Sequence, residues 1–240
     1  MKSIAIALIP LLLAACIGPM RQTPAPLPGN LPRLAGMATL ACGFEKTVDS
    51  GGKQAKAAWT LWRQPNRVET RDDMSQQGEI WQKDKSGQIF YTRVFFPERV
   101  ALEYMPGDLA AKGVETRWEQ VEAGLLDPRQ LGTKLLLQGQ RNDAGVKVEH
   151  YSGTLDGVAT EVDWLPSLGL PARIAKTFPD RVVTIAMRDC GGLAQTSARP
   201  ISSQELDAYR RIDFSDLGDM ESDPSVQRII ELTDGHHHHH

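Results

Sequence analysis

The sequence predicts a mostly-β fold with some α content, an antiparallel sheet of about eleven strands with helices added, and three observations carry that reading. Between residues 38 and 190 the chain divides into short runs rich in β-branched and aromatic residues. Turn residues bound almost every run. Several runs also alternate apolar and polar side chains with a period of two, as a sheet with one buried face requires. The composition agrees. With 240 residues, 41% hydrophobic and 24% charged, the chain can bury a core and is not disordered, and a net charge of −3 supplies no basic excess for nucleic acid.

Taken in order, the chain opens with Lys2 and an apolar stretch from Ile4 to Ala15, the length of a secretory signal and too short for a transmembrane span. Leu13-Ala14-Ala15-Cys16 resembles a bacterial lipobox, in which Cys16 is acylated and becomes the first mature residue; the other reading is a plain signal peptide cut near Ala15. Ile17, rather than aspartate, follows it. In a Gram-negative lipoprotein that implies an outer-membrane anchor facing the periplasm. Residues 1–15 are thus expected to be the signal and 16–36, rich in Pro and Gly, a flexible tether.

The predicted strands are 38–47, 56–63, 66–71, 78–83, 88–95, 99–105, 133–140, 145–152, 157–164, 171–177 and 181–188. Ser50-Gly51-Gly52, Asp84-Lys85-Ser86-Gly87, Pro97-Glu98 and Asp156-Gly157 are among the links, short enough for hairpins, so a meander is the simplest topology. Val158, Thr160, Val162 and Trp164 share one face of their strand. Around 90–96 the alternation fails: Phe90, Val94 and Phe96 point one way, Ile89, Tyr91 and Phe95 the other. A strand apolar on both sides must be covered on both, as by a helix inside a curved sheet. A helix is expected over 107–126, with Leu109, Val114, Trp118, Val121 and Leu125 on its apolar side.

Beyond Cys190 the composition shifts, and residues 191–235 read as a helical acidic extension. Ser202 with Glu205 forms a capping-box signature, and Asp223-Pro224 opens a last helix with Val226, Ile229 and Ile230 apolar. His236–His240 reads as a purification tag, which leaves His150 alone and makes zinc chemistry or a His-based triad improbable. Cys42 and Cys190, 148 residues apart, form one disulfide joining the first and last strands of the domain, or else stay as two buried thiols.

The lipobox, the run of strands and the central helix together resemble the LolA/LolB-like periplasmic lipoprotein carriers and receptors. The most specific stretch is Leu165-Pro-Ser-Leu-Gly-Leu-Pro-Ala-Arg173, followed by Pro179-Asp-Arg-Val-Val-Thr-Ile-Ala-Met187; Trp62-Arg63, Gly78-Glu-Ile-Trp81 and Glu103-Tyr104-Met-Pro-Gly-Asp-Leu109 are similar in kind. The resemblance covers residues 37–190 and implies an incomplete β-barrel with helices as lid or plug. Its cavity would take acyl chains. Trp62, Phe90, Leu102, Tyr104, Val158, Val162 and Trp164 are the residues that would line it, each of which also suits plain core packing.

No nucleophile elbow, metalloprotease, phosphate-loop or dinucleotide motif occurs, so no catalytic residue, metal or cofactor is expected. Asp213, Asp216, Asp219, Glu221 and Asp223 crowd five carboxylates into eleven residues without EF-hand spacing, and read as a solvated surface able to meet a basic protein partner. Two expectations follow: an anchored carrier of a hydrophobic ligand or lipoprotein, or a non-enzymatic scaffold that recruits a protein through its surface and acidic tail.

Overall fold

The computed structural model describes residues 27–29, 31–143, 145–193, 199–220 and 222–234. Twelve strands form one sheet: β1 (Leu40–Ser50), β2 (Lys53–Gln64), β3 (Arg67–Asp72), β4 (Gln77–Lys83), β5 (Ile89–Phe95), β6 (Val100–Tyr104), β7 (Leu135–Asp143), β8 (Val146–Leu155), β9 (Val158–Leu165), β10 (Leu170–Thr177), β11 (Val182–Gly191) and β12 (Arg210–Asp213). Their spatial order is β12-β6-β5-β4-β3-β2-β1-β11-β10-β9-β8-β7, and the sheet curves without closing into a barrel. Each of the eleven expected strands is present. The twelfth, four residues long and parallel to β6, has too short a pattern to be read in sequence and exists because an open sheet edge is there to pair with.

Hairpin turns set the register. Gly51 and Gly52, and likewise Asp156 and Gly157, both have positive φ, the twist that tight two-residue hairpins need. Cys42 and Cys190 face each other directly in the β1–β11 pair, with Cα atoms 4.0 Å apart, and are disulfide-bonded. Part of the expected tether is built into the core: Leu31 and Leu34, in a one-turn 3-10 helix, are buried against the sheet.

The helix expected over 107–126 is two short ones, α1 (Pro106–Ala111) and α2 (Trp118–Ala123). Gly113 breaks it with φ +72, and Arg117 re-enters from an extended conformation. Gly124, at φ +70, ends α2 where a Cβ would come within 2.5 Å of the Leu61 side chain. These helices cover one face of the sheet, called here the inner face, which carries Phe44, Leu61, Tyr91 and Leu102.

The tail then wraps the β6 edge. On the outer face, α3 (Ser203–Asp207) starts in the expected Ser202/Glu205 capping box, and Ile201 and Leu206 pack on Ile80, Val94 and Ala101. A buried carboxylate fixes the approach. Glu69 accepts from the Ile201 backbone N–H with both oxygens at 3.1 Å and pairs with Arg67 at 2.9 Å and Arg71 at 3.0 Å, while Arg67 donates to the Ile201 carbonyl. After β12, a 3-10 segment (Phe214–Met220) and α4 (Pro224–Asp234) return along the inner face, with Val226 and Ile229 fully buried against Phe95, Val100, Leu102 and Leu109. The two-sided pattern of 90–96 is thereby explained. Val94 and Phe96 lie with the α3 cluster, Tyr91 and Phe95 with the α4 cluster.

Candidate ligand cleft

Between the inner face of β2–β6 and its helical roof lies a cleft of about 560 Å³. Its floor begins with an aromatic row that hairpin pairing creates. Trp81 opposes Tyr91 across β4–β5, and Tyr91 opposes Tyr104 across β5–β6, with ring centroids 4.3 and 5.0 Å apart. Phe214 extends the row by stacking on Tyr104 at 4.5 Å. The roof comes from three separate segments: Leu109 and Lys112 at α1, Val114 in the link, and Thr233 of α4, with Gly124 and Leu125 closing one side.

Polar and charged groups, among them Thr70, Asp72, Gln77, Glu79, Arg93 and Lys112, make up about half of the lining, and several are held by neighbours. The Tyr91 hydroxyl donates to Glu79 at 3.1 Å, and burial, reinforced by that neighbouring carboxylate, pushes the phenol well above its ordinary range. Arg93 donates to the Gln77 side chain at 2.9 Å and to the Leu232 carbonyl at 3.1 Å, so it also pins α4. Lys112 holds its ammonium 4.5 Å from the Phe214 ring centre, a cation–π contact beside the aromatic row.

The seven residues singled out in sequence go to different places. Tyr104 lines the cleft. Leu102, next to it in β6, is fully buried under α4. Val162 and Trp164 share the inner face but pack with Ala123 at the end of α2 and Leu126 just beyond it in a separate core cluster, and Val158 is half-buried at the start of β9. Trp62 is buried on the outer face with the Arg71 guanidinium over its ring, and Phe90 shares the outward side of β5 with Val94. Trp59, Trp81, Tyr91 and Leu125 belong to the cleft and were not expected. A signal existed for two of them, since Trp81 and Tyr91 stand at equal distances from the turn at Ser86.

Of the acidic tail, Asp213 caps its own turn by accepting from the Ser215 N–H, and Asp223 pairs with Arg210 at 2.8 Å. Asp216 and Asp219 are exposed. Cys16 and Glu221 lie outside the described residues. Among the described residues, no group of three or more His, Cys, Asp or Glu side chains is placed to hold a metal ion, and no helix is long and apolar enough to cross a membrane.

No family model matches the chain, and no curated protein does. Solved structures match at low identity. A structure of PNGF-II aligns over 76% of this chain and 33% of its own, with 9% identity and a TM-score of 0.43. MucB in the Pseudomonas aeruginosa MucA/MucB complex aligns over 73% of this chain and 58% of its own, with 16% identity and a TM-score of 0.39. A putative outer membrane lipoprotein-sorting protein domain from Vibrio parahaemolyticus aligns over 72% and 90%, with 7% identity and a TM-score of 0.31. The chain thus spans about a third of the PNGF-II chain and little more than half of the MucB chain. With TM-scores below 0.5, none of the three carries an argument about fold or function.

Proposed function

We propose that this chain is an outer-membrane-anchored periplasmic lipoprotein that holds a hydrophobic ligand, a lipid or a lipoprotein's acyl chains, in the inner-face cleft. One observation carries the reading: an aromatic floor on β4–β6 stays open beneath a roof of separate, short segments. Its volume falls in the range of small-molecule sites, roughly 300–1,000 Å³. Each methylene withdrawn from water into it contributes about 0.8 kcal/mol, so a long chain is retained without any charged contact. Release follows from movement of the α1–α2 link, which has a glycine hinge at Gly113 and exposes Val114. Acylation of Cys16 supplies the anchor.

The test is native mass spectrometry of a soluble form starting after Cys16, purified without detergent and extracted for lipid. A bound lipid near one-to-one, lost in Val114→Glu while the protein stays folded, is the expected result. A bare protein mass that ignores added fluorescent fatty acid removes the reading. A second reading, a non-enzymatic scaffold, draws on the exposure of Asp216 and Asp219. Truncation at Cys190 does not separate the two, because the tail roofs the cleft. Asp216→Asn with Asp219→Asn does: capture of a basic partner falls under the scaffold reading, and lipid content stays the same under the carrier reading.

A further inference from the structure

The other half of the inner face carries a second groove, of about 770 Å³, at the tips of the β1–β2 and β10–β11 hairpins. Its floor can be counted out from the register. Ala57, Lys46, Ile185 and Ile174 stand side by side across β2, β1, β11 and β10; one step nearer the tips stand Ala55, Val48, Val183 and Lys176. At a strand spacing of about 4.8 Å, each row is roughly 14 Å long. Among the described residues, no helix residue lines this groove, so the apolar side chains of Val48, Val183 and Ile185 are left half-buried where α4 would cover their equivalents in β5 and β6.

Charge on the groove is of one sign. Lys46, Lys56, Lys176 and Arg181 line it, and no Asp or Glu does among the described residues. Lys56 is held by Glu45 at 2.8 Å, and Arg181 by Asp180 at 3.2 Å, with its guanidinium over Phe178. Lys46 and Lys176, in opposite rows, take part in no ion pair within 4.0 Å among the described residues. Two lysines inserted into an otherwise apolar floor, with their stems on that floor and their ammonium groups uncompensated, match a ligand with the complementary division. We infer that this groove binds a single anionic amphiphile, its chain lying across the four strands and its carboxylate or phosphate head held by Lys46 or Lys176. The concavity favours one molecule over a flat bilayer, and the inference stands whether or not the cleft holds a ligand.

The experiment titrates the full chain with sodium dodecanoate below micelle formation, and with dodecanol and dodecyltrimethylammonium as neutral and cationic counterparts, following heat and the ¹³C-carboxyl resonance. Dodecanoate is expected to bind about tenfold or more tighter than either counterpart, one decade being 1.4 kcal/mol. Lys46→Glu with Lys176→Glu is expected to abolish that preference while leaving dodecanol binding unchanged. Lys46→Gln with Lys176→Gln gives the same answer more mildly if reversal disturbs folding. Val183→Asp, combined with Val114→Glu to empty the cleft, is expected to remove binding of all three. Equal binding of dodecanoate and dodecanol, or dodecanoate binding untouched by both lysine variants, overturns the inference. Dodecanoate lost in Val114→Glu and kept in the lysine variants also overturns it, and leaves the carrier reading standing. Binding of phosphatidylglycerol vesicles without binding of dodecanoate shows a membrane contact instead, and equally overturns it.

Discussion

The β4–β6 region and the β1–β2/β10–β11 tips belong to one sheet and share one inner face, yet they are finished in opposite ways. At β4–β6 the tail covers everything: α3 outside, β12 on the edge, α4 inside, so that Phe95, Val100 and Leu102 are nearly or completely sealed from solvent. At the hairpin tips no described residue covers the inner face, and lysines interrupt its apolar rows. The difference teaches that a strand's residues state in advance whether a partner layer will arrive. A stretch apolar on both sides needs two layers; an apolar row broken by uncompensated lysines is designed to remain open to water and to a charged ligand.

The sharpest way to break this comparison is to place the same carboxylate in both regions. Leu102→Asp puts an unpaired charge in a fully buried site and should cost about 4–5 kcal/mol or more, abolishing cooperative unfolding in a thermal melt. Val183→Asp, on the half-buried floor, should cost about 1 kcal/mol or less. Comparable losses in the two variants would mean that the tips are covered after all.

Next in size is the disulfide. Cys42→Ser with Cys190→Ser should lower stability by about 2–5 kcal/mol in urea unfolding, because a long loop is released in the unfolded chain. The crosslink joins the first and eleventh strands, so its loss weakens the centre of the sheet and both regions fall together.

A smaller and more local effect is expected at the tail clamp. Glu69→Ala leaves the Arg67 and Arg71 guanidiniums, 13% and 24% exposed, without their counter-charge and frees the Ile201 amide. The cost should be about 3 kcal/mol, with limited proteolysis newly cutting after residue 191 while the tips remain protected. Cleavage at the tips first would mean that the clamp does not serve the covered half alone.

The smallest effect is a pH dependence. Asp223 accepts from Ser225 and Arg210 at the start of α4, and those hydrogen bonds hold its carboxyl well below the ordinary carboxylate value of 3.8. A group with a depressed folded-state pKa stabilises above its unfolded value and loses that contribution as pH falls through its folded value. Asp223→Asn should therefore melt earlier than the parent at pH 7, and the gap should narrow steadily below pH 3.8. A gap that does not change with pH would assign the cap to shape rather than charge.

Much of the fold was legible because its signals are local. The two-residue alternation of Val158–Trp164, the Asp156-Gly157 turn and the Ser202/Glu205 capping box are each read from fewer than eight neighbouring residues, and each is present. The 107–126 helix was misjudged for a local reason as well. Its spacing was helical, but Gly113 and Gly124 adopt positive φ, where Gly124 makes room for Leu61 from a distant strand. The candidate site was less legible. Trp62 and Trp59 are three positions apart in β2 and both look fit for a cavity, but strand alternation puts them on opposite faces, and only the helices decide which face is inner.

By itself, then, the sequence determined the strands, their hairpin turns and the need for two covers over 90–96; it left open whether Cys42 and Cys190 bond, and the meander it suggested is divided in the structure into β1–β6 and β7–β11, joined where β1 pairs with β11. What it determined follows from backbone sterics and from the period of side-chain burial, which act over a few residues. Tertiary structure alone decided that the tail crosses the β6 edge, clamps on Glu69 and roofs the aromatic row. It also decided that no described residue covers the hairpin tips. Neither outcome has a local cause: a cleft is volume left unfilled when segments far apart in the chain meet, and that volume depends on where every one of them ends.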